Sequence, residues 1–378
     1  MTKSDYPVVV YGASGYTGML TMDWLIDQNI PFTAVARNAG RTLEMMKQRV
    51  VRLESATYEI IECEHDVDQL AAAFKGAKVV CNMVGPFVRF GLLAVEAALK
   101  AGCHHLDSTG EQSYILAARE RFGQSYAEAG LVLSPSVSYM YTVGEIAAEL
   151  ALETPGVDAL ETASLSRGPM QGSGVTVGST ASIFELFRSK QFHLWDNQMI
   201  EWPVASSAEI CVPEFLKPVF CLPWGGTSLP VFYERDPRVR YCRSMVGFYD
   251  NPAMRTVQAM TKKWEEEFKH LPEPAQDAVV AQIVASTTPT MPPRERTTLN
   301  RSVDIAIGRG QLASVRASVT SITPYITTGA LQAAAAIKLL DGETRKVGFV
   351  SACQAFDHRY LLGFLEQRGL ARGQVTHL

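Results

Sequence analysis

The sequence predicts an α/β protein whose first part is a doubly wound parallel sheet of the Rossmann type. Two observations carry this prediction: a glycine-punctuated turn follows the first apolar run, and strands then alternate with helices of similar length as far as Asp107. Such alternation forms a parallel sheet that binds ligands at the carboxyl ends of its strands. A chain of 378 residues is also long for a single core and suits two domains.

The turn Tyr11–Gly18 reads YGASGYTG and lies directly after the apolar run Pro7–Val10. Glycines leave room for the backbone to approach a pyrophosphate, and the last one lets the following helix pack closely on the sheet. The N–H groups at the start of that helix then face the phosphates. The spacing is GxxGxxG rather than GxGxxG, so the motif depends on its strand-to-helix context. We predict nucleotide contacts from six residues of the turn: Gly12, Ser14, Gly15, Tyr16, Thr17 and Gly18.

The predicted second strand, Ile30–Ala36, ends at a basic residue, Arg37. An enzyme that uses NAD is expected to carry Asp or Glu at this point, because a carboxylate accepts hydrogen bonds from the ribose hydroxyls. A guanidinium instead pairs with a 2′-phosphate through two hydrogen bonds. We therefore predict NADP(H) as the cofactor, bound here by Ala36, Arg37 and Asn38. The alternative is that Arg37 is a solvated residue at the end of a strand.

The strand–helix pattern repeats three more times, with strands predicted at Tyr58–Glu62, Lys78–Val84 and His104–Asp107. The fourth strand breaks at a Gly-Pro pair, at the strand end that faces the ligand crevice in this topology. Three strand ends converge on that crevice, so this turn is predicted to meet the nicotinamide half of the cofactor. An ordinary rigid turn is the alternative. The residues concerned are Val84, Gly85, Pro86 and Phe87.

Three motifs in order carry a family resemblance: Tyr11–Gly18, Val84–Gly91 (VGPFVRFG) and His105–Glu111 (HLDSTGE). In these residues the chain resembles the saccharopine dehydrogenase-like oxidoreductases, a group that includes saccharopine reductases and the trans-acting enoyl reductases of polyketide and lipid synthesis. A weaker resemblance continues at Tyr325–Gly329 and the Ala-rich segment behind it. The resemblance implies a Rossmann domain, a nicotinamide cofactor, and a second mixed α+β domain inserted before a C-terminal return to the first.

The predicted domains are residues 1–142, which bind NADP, residues 143–324, which hold substrate and dimerise, and residues 325–378, C-terminal helices that return to the first domain. A homodimer is the arrangement that the resemblance implies.

Two segments depart from the family pattern. Cys63 stands where members often carry an acidic residue near the adenine, with Asp66 three positions later, and Ser134–Tyr141 replaces a Gly-Phe-Asp-Ser-x-Pro-like segment. Adenine contacts and the substrate are therefore left open.

The composition and charge of the chain bear on whether it binds nucleic acid, a membrane or a metal ion. A formal charge of −4 and a pI near 6.0 give no support to nucleic-acid binding. No apolar stretch reaches membrane-spanning length, and the first residues lack the pattern of a signal peptide. Seven cysteines without CxxC spacing indicate reduced thiols and a cytoplasmic protein. Seven histidines without HExxH or another ligand spacing give no reason to expect a metal.

Aromatic residues are dense between Gln191 and Asp250, where prolines break the chain into short pieces. Most of these rings are expected in the core or in a dimer interface, but a few lining a pocket would indicate a bulky, apolar ligand or a substrate lid. Before them, the small residues Gly172–Thr180 lead into a helix. Two interpretations of that stretch stay open: a turn near the substrate, or a flexible turn whose Ser179 and Thr180 cap the helix.

The function predicted from these residues is hydride transfer from NADPH to a C=C (enoyl-type) bond of a bulky hydrophobic or carrier-bound substrate, followed by protonation. Candidates for the proton source are Tyr139, Tyr141 and, less favoured, Asp107, with core aromatics as the alternative for the tyrosines. No Tyr-x-x-x-Lys pair and no GxxxxGK[ST] motif occurs, so the proton relay of short-chain dehydrogenases and a P-loop are not expected.

Two other functions stay open. One is saccharopine-reductase-like reduction of an amino-acid C=N bond, which needs convergent arginines to bind carboxylates; the second domain offers Arg167, Arg255 and Arg296. The other is a non-catalytic scaffold, either nucleotide-binding or lipid-associated, that keeps the Rossmann half. Turnover of NADPH separates the scaffold from both reductases.

Overall fold

A computed structural model describes residues 3–168, 176–287 and 291–378. These residues form two compact units, each built around its own sheet. As far as residue 142 the elements, in chain order, are β1 (Val8–Tyr11), α1 (Tyr16–Asp27), β2 (Phe32–Ala36), α2 (Ala39–Arg49), a 3₁₀ turn (Leu53–Ser55), β3 (Tyr58–Glu62), α3 (Val67–Phe74), β4 (Val79–Asn82), α4 (Phe87–Ala101), β5 (His104–Asp107), α5 (Gln112–Glu128), β6 (Val132–Ser134) and the start of a π-helical segment (Tyr139–Val143).

The remaining elements follow in the same order. They are α6 (Gly144–Leu152), β7 (Ala159–Arg167), α7 (Val177–Leu186), β8 (Phe192–Trp195), β9 (Gln198–Glu201), β10 (Ala208–Ile210), β11 (Val219–Leu222), a 3₁₀ turn (Trp224–Gly226), α8 (Leu229–Tyr233), β12 (Tyr241–Phe248), α9 (Ala253–Lys263), a π-helical segment (Trp264–Phe268), α10 (Glu273–Thr287), β13 (Arg301–Arg309), β14 (Ser314–Ser321), α11 (Pro324–Leu340), β15 (Gly348–Phe349), α12 (Ala352–Phe356), α13 (His358–Gln367) and β16 (Ala371–His377).

The first unit comprises residues 3–109, 114–142 and 324–368. Its sheet has the strand order β15-β6-β5-β4-β1-β2-β3, with every neighbouring pair parallel. Apart from β15 this is the Rossmann order, in which the direction of winding reverses between β1 and β4. At that reversal Tyr11 lies opposite Asn82. The predicted doubly wound parallel sheet is confirmed.

The core of this unit follows from the strand sequences. Every residue of β1 and β2 is buried, as expected for central parallel strands that helices cover on both faces. Small residues bring two helices close together: a Cβ added to Gly329 of α11 would lie 2.6 Å from the carbonyl oxygen of Leu20 in α1. The indole N–H of Trp24 also donates a hydrogen bond of 3.1 Å to the carbonyl oxygen of Ile326. Helix α11 therefore packs on α1 and holds it.

The second unit comprises residues 110–113, 143–323 and 369–378, of which 169–175 and 288–290 fall outside the described ranges. Its sheet has the order β10-β11-β12-β7-β13-β14-β16, and the β8–β9 hairpin joins it at β12. Strands β7 and β12 are parallel, whereas the other pairs are antiparallel. The predicted second, mixed α+β domain is confirmed.

Two segments of the chain differ from the sequence-based expectation. The last ten residues do not continue the predicted helical return, because β16 pairs with β14 of the second sheet. This pairing covers backbone groups of β14 that would otherwise form an open edge. The predicted turn at Gly172–Thr180 lies partly outside the described residues, and Thr176 caps α7, since its hydroxyl accepts a hydrogen bond of 3.1 Å from the N–H of Ser179.

The aromatic region between Gln191 and Asp250 is distributed between interior and surface. Trp202, Phe232 and Tyr233 are buried, whereas Trp195 is half exposed. Most of the region therefore builds the second unit. Within the described ranges, no helix combines the length and the apolar character needed to cross a lipid bilayer.

Candidate nucleotide-binding site

The turn between β1 and α1 brings two loops into contact at the reversal point of the sheet. Gly12 has φ +88°, a conformation that residues with a side chain rarely adopt. A Cβ at this position would lie 2.9 Å from Cγ2 of Val84 and 3.1 Å from the carbonyl carbon of Met83, in the loop after β4. The turn and the loop after β4 are therefore in contact at the carboxyl ends of β1 and β4, the edge of the sheet at which this fold binds ligands.

The other two glycines of the turn, Gly15 and Gly18, lie close to the carbonyl oxygen of Gly12. A Cβ on Gly18 would lie 2.5 Å from the carbonyl oxygen of Gly12, and a Cβ on Gly15 would lie 3.1 Å from the same oxygen. The N–H of Gly15 donates a hydrogen bond of 2.9 Å to that oxygen. The carbonyl group of Gly12 is thus turned toward the inside of the bend, and only glycine fits at residue 18 without a backbone shift.

Helix α1 starts at Tyr16 with Gly15 as its N-cap, without a side-chain cap hydrogen bond and without an acidic residue in its first turn. An uncapped helix N-terminus beside a glycine turn is the arrangement that binds phosphate. The ring of Tyr16 packs edge-on against Tyr325 of α11, with the centroids 5.2 Å apart. Ser14 and Thr17 lie on the same turn, so the structure brings all six predicted turn residues together.

Two exposed residues, Arg37 and Asn38, follow Ala36 at the carboxyl end of β2. Arg37 makes no hydrogen bond or ion pair with any described residue. Asn38 caps α2: its side-chain oxygen accepts a hydrogen bond of 2.8 Å from the N–H of Arg41. This oxygen therefore caps the helix, and the role of Asn38 in cofactor binding stays a prediction.

A carboxylate also lies at the start of α2. Oε2 of Glu62, the last residue of β3, accepts a hydrogen bond of 2.9 Å from the N–H of Ala39. Glu62 lies opposite Ala36 in the β2–β3 pairing. An acid thus stands beside the strand end from which Arg37 projects, and sequence analysis did not single it out.

An aromatic cluster that the sequence analysis missed follows β3. Nδ1 of His65 shares a short hydrogen bond with the hydroxyl of Tyr11, and the His65 ring stacks on Phe90, with centroids 4.7 Å apart and 29° between the planes. Burial and the nearby Arg37 lower the pKa of His65, whereas burial raises the pKa of Tyr11. Asp66, in the same segment, caps α3 by accepting hydrogen bonds of 3.1 and 3.0 Å from the N–H groups of residues 68 and 69.

The turn after β4 is held by the last residue of that strand. Oδ1 of Asn82 accepts a hydrogen bond of 2.9 Å from the N–H of Val84. The Gly85–Pro86 peptide bond is cis, and Pro86 precedes the first turn of α4. The Phe87 side chain is buried, with its ring 5.7 Å from that of Tyr114. The Phe87 ring therefore packs in the core, and contact between the backbone of this turn and the nicotinamide stays a prediction.

Asp107, at the carboxyl end of β5, is a structural anchor. Its Oδ1 accepts hydrogen bonds of 3.0 Å from the N–H groups of Thr109 and Ser136, and its Oδ2 accepts one of 2.7 Å from the hydroxyl of Tyr114. The side-chain amide of Gln332 donates to its backbone carbonyl oxygen at 3.1 Å. The residue is fully buried. These contacts fix the loops after β5 and β6, and they argue against the predicted role of Asp107 as a proton source.

Tyr139 and Tyr141 lie in the π-helical segment that follows β6, and both are buried. The N–H of Tyr139 donates a hydrogen bond of 3.0 Å to the hydroxyl of Thr328 in α11. Just before this segment the hydroxyl groups of Ser134, Ser136 and Ser138 are buried without a hydrogen-bond partner among the residues described. The two tyrosines therefore border a polar interior in the first unit.

No cluster of His, Cys, Asp or Glu in the described parts of the chain could hold a metal ion.

A family model described as a family of unknown function, DUF5938, matches residues 142–377, more than half of the chain. The chain belongs to this family. A model of the NmrA-like family matches residues 4–106, which include the glycine turn and the first four strands. This member of the DUF5938 family thus carries an NmrA-like N-terminal segment before the segment that the family of unknown function matches.

The curated relatives match about a third of the chain. A lipid droplet localized protein of Caenorhabditis elegans is 30% identical over 135 residues, which cover 34% of this chain and 32% of that protein. A trans-acting enoyl reductase of Mycobacterium tuberculosis is 31% identical over 133 residues, which cover 34% of this chain and 31% of that protein. The chain therefore spans about a third of the length of these relatives.

The apo saccharopine dehydrogenase (L-Glu forming) of Saccharomyces cerevisiae has a similar structure along the whole chain. The TM-score is 0.63 at 11% identity, over 98% of this chain and 100% of that one. The resemblance to the saccharopine dehydrogenase-like group is thereby confirmed, and so is the fold class. At this identity the likeness establishes the fold only.

Proposed function

We propose that this protein is an NADPH-dependent reductase that transfers hydride to a C=C (enoyl-type) bond of a bulky hydrophobic substrate. The observation that carries the proposal is the glycine turn, in which the Gly12 carbonyl group leaves no space for a Cβ on Gly18. Such a closed turn before an uncapped helix fits a dinucleotide pyrophosphate. The NmrA-like match and the fold of saccharopine dehydrogenase support an NAD(P)-dependent oxidoreductase.

The preference for NADPH rests on Arg37. Its exposed guanidinium has no partner among the described residues, and it follows the strand end at which the adenosine ribose lies in Rossmann domains. A free guanidinium can form two hydrogen bonds with a 2′-phosphate. The carboxylate of Glu62 is already engaged by the N–H of Ala39, so it does not neutralise Arg37 through an ion pair. These features favour NADP(H).

The C=C specificity is supported by the enoyl reductases among the relatives, although the shared segment covers only a third of their length. The alternative, reduction of a C=N bond in a substrate with carboxylates, needs arginines that are free to converge. Arg255 instead pairs with Glu209 at 3.0 Å, and Arg167 lies over the ring of Tyr249, 5.4 Å from its centroid. We therefore favour the enoyl substrate.

The bound cofactor supplies the hydride, and the chain's own residues bind it, position it and provide a proton. Gly12, Gly15 and the start of α1 would hold the pyrophosphate, and the backbone of the Val84–Phe87 turn lies beside them at the carboxyl end of β4. We propose Tyr139 or Tyr141 as the proton source, because both border the buried hydroxyls of the first unit. Replacing each tyrosine by Phe is expected to lower turnover in one of the two variants with NADPH affinity kept. Unchanged turnover in both removes this assignment.

Calorimetric titration with NADPH and NADH, followed by a turnover assay with a ten-carbon enoyl thioester, tests the proposal. We expect tighter binding of NADPH and formation of the saturated thioester, with one deuterium incorporated from NADPH labelled at the transferred position. Absence of binding for both nucleotides would refute the reductase altogether. Binding without turnover of the thioester or of an imine would favour the non-catalytic scaffold. A cytoplasmic homodimer stays a prediction that size-exclusion chromatography and fractionation can check.

A further inference from the structure

The loop between β11 and α8 has an unusual backbone. Four consecutive residues have positive φ: 48° at Trp224, 75° at Gly225, 84° at Gly226 and 58° at Thr227. Thr227 combines this φ with ψ 177°, a region that is almost exclusive to glycine. Residues with side chains adopt such conformations only where their surroundings impose them, and they concentrate at ligand sites. Trp224 and Thr227 thus mark this loop as a candidate ligand site.

One buried side chain imposes the conformation. Nε2 of Gln112 lies 3.0 Å from the carbonyl oxygens of Gly226, Thr227 and Phe192, so its two N–H groups donate to three acceptors and at least one N–H is shared. Its Oε1 accepts a hydrogen bond of 2.7 Å from the N–H of Phe192. Gln112 has no exposed surface, so water does not compete for these bonds. The loop is therefore held rigidly within the second unit.

The loop ends in two adjacent hydroxyl groups that the protein leaves unsatisfied. Thr227 is 3% exposed and Ser228 1% exposed. Neither Oγ1 of Thr227 nor Oγ of Ser228 has a hydrogen-bond partner in the described ranges. A buried hydroxyl without a partner is costly, and folded proteins rarely keep one without a reason. Thr227 and Ser228 carry two such hydroxyls, at adjacent positions on a strained backbone that Gln112 holds in place.

The surroundings of these hydroxyls indicate what they bind. The sixteen residues 218–233 contain no charged side chain. The ring of Trp224 packs edge-on against Phe248 at 5.8 Å, and a Cβ on Gly225 would lie 2.5 Å from Cδ2 of Leu186. An ionised ligand group would find no counter-charge within this segment itself. A carbonyl oxygen is neutral and has two lone pairs, which match two adjacent O–H donors.

We propose that the hydroxyls of Thr227 and Ser228 bind the carbonyl oxygen of a neutral, apolar acyl substrate. The choice of an acyl compound rests on the proposed reductase function, whereas recognition of a neutral carbonyl rests on the loop alone. The hydrogen bonds from Gln112 fix the loop and hold both donors in place before the ligand binds, so binding costs little conformational entropy.

The test is calorimetric titration of the full chain with a ten-carbon enoyl thioester of N-acetylcysteamine and with the matching thioether, which lacks the acyl carbonyl. We expect Thr227→Val and Ser228→Ala each to weaken thioester binding about 2- to 12-fold, with little effect on the thioether. Thr162→Val is the control, because Thr162 is a buried threonine of the same unit whose hydroxyl bonds that of Ser244 at 2.6 Å. This control should leave thioester affinity unchanged.

Thermal unfolding of the free protein gives a second, independent readout. Thr227→Val and Ser228→Ala remove unsatisfied groups, so their melting temperatures should equal or exceed that of the wild type, whereas Thr162→Val should melt lower. Unchanged thioester affinity in both loop variants, equal losses for thioester and thioether, lower melting of both loop variants, or no binding of thioester by the wild type would each overturn the proposal. NADPH titration of the same proteins separates the carbonyl-binding proposal from the proposed reductase function, because failure to bind NADPH counts against the reductase alone.

Discussion

The hydroxyl of Ser164 on β7 donates a short hydrogen bond to the carboxyl group of Asp304, directly opposite on β13. Helix α6 lies over this pair, since a Cβ on Gly144 would lie 3.6 Å from Oγ of Ser164 and 3.9 Å from Oδ1 of Asp304. Asp304 has no exposed surface, and burial raises its pKa to about 8, although the bond from Ser164 acts in the opposite direction. The carboxyl group is therefore protonated at neutral pH in the folded protein.

The Asp304 carboxyl group should make stability depend on pH. Its folded pKa lies above the unfolded value of about 3.9, so the folded state holds a proton that the unfolded state releases between about pH 4 and pH 8. Stability then falls with rising pH across this window, by about 1 kcal/mol per pH unit. Asp304→Asn removes the titration, and its stability advantage over the wild type should grow up to about pH 8 and then stay constant.

Urea unfolding at a series of pH values measures this difference. Asp250→Asn is the control, because it removes a carboxylate whose side chain is 69% exposed and lies 3.5 Å from Lys217. A difference between Asp304→Asn and the wild type that does not change with pH would contradict the assignment.

Gly18→Ala should damage the nucleotide site through the backbone. The new Cβ would lie 2.5 Å from the Gly12 carbonyl oxygen, so the turn must shift at a cost of about 1–3 kcal/mol, and NADPH binding should be lost or strongly weakened. Gly363→Ala is the matched control: it lies inside α13 with nothing within 4 Å of the added Cβ, and it should stabilise the protein by about 0.5–1 kcal/mol. Equal NADPH affinity in the Gly18 variant and the wild type would mean that the nucleotide binds elsewhere.

Substitutions at the end of β2 and β3 should change nucleotide preference in opposite directions. Arg37→Ala removes the free guanidinium and should weaken NADPH binding about 10- to 100-fold while NADH binding stays the same. Glu62→Gln removes the negative charge at the start of α2, so NADPH should bind at least as tightly as in the wild type. Titration of both variants with both nucleotides provides the measurement. A parallel loss of NADH affinity in Arg37→Ala would show that the arginine does not read the 2′-phosphate.

Asp107 and Tyr114 should contribute to stability rather than to proton transfer. Asp107→Ala leaves three buried donors without their acceptor and should cost about 3 kcal/mol or more. Tyr114→Phe removes one hydrogen bond to a carboxylate and should cost about 1.5–3 kcal/mol. Denaturant unfolding measures both changes, and NADPH turnover of the Tyr114 variant should match the wild type. A turnover defect in Asp107→Ala without loss of stability would instead support Asp107 as the proton source.

Local patterns in the sequence were sufficient for the parts of the site that one strand and its following turn define. The glycine turn, the strand end at Ala36 and the parallel sheet all follow from apolar runs and glycine spacing over a few residues, whereas β4 ends at Asn82, two residues before the predicted end at Val84. Arg37 was also found in this way, because its position depends only on where β2 ends.

Features that depend on distant partners could not be found from local patterns. Asp107 became a candidate acid because its contacts with Ser136, 29 residues later, cannot be read from its neighbours. His65 was overlooked for the same reason, since Tyr11 lies 54 positions away. The final strand β16 depends on an open edge at β14, which exists only once the second sheet has formed.

The packing of α11 against α1 has a consequence for biosynthesis. The glycine turn opens α1 near the start of the chain, but the helix that covers α1 begins only at Pro324. A ribosome therefore completes residues 143–323 before it delivers the segment that finishes the N-terminal unit. Throughout that interval the apolar flank of α1 is uncovered, and a prematurely terminated chain would need a chaperone to shield it.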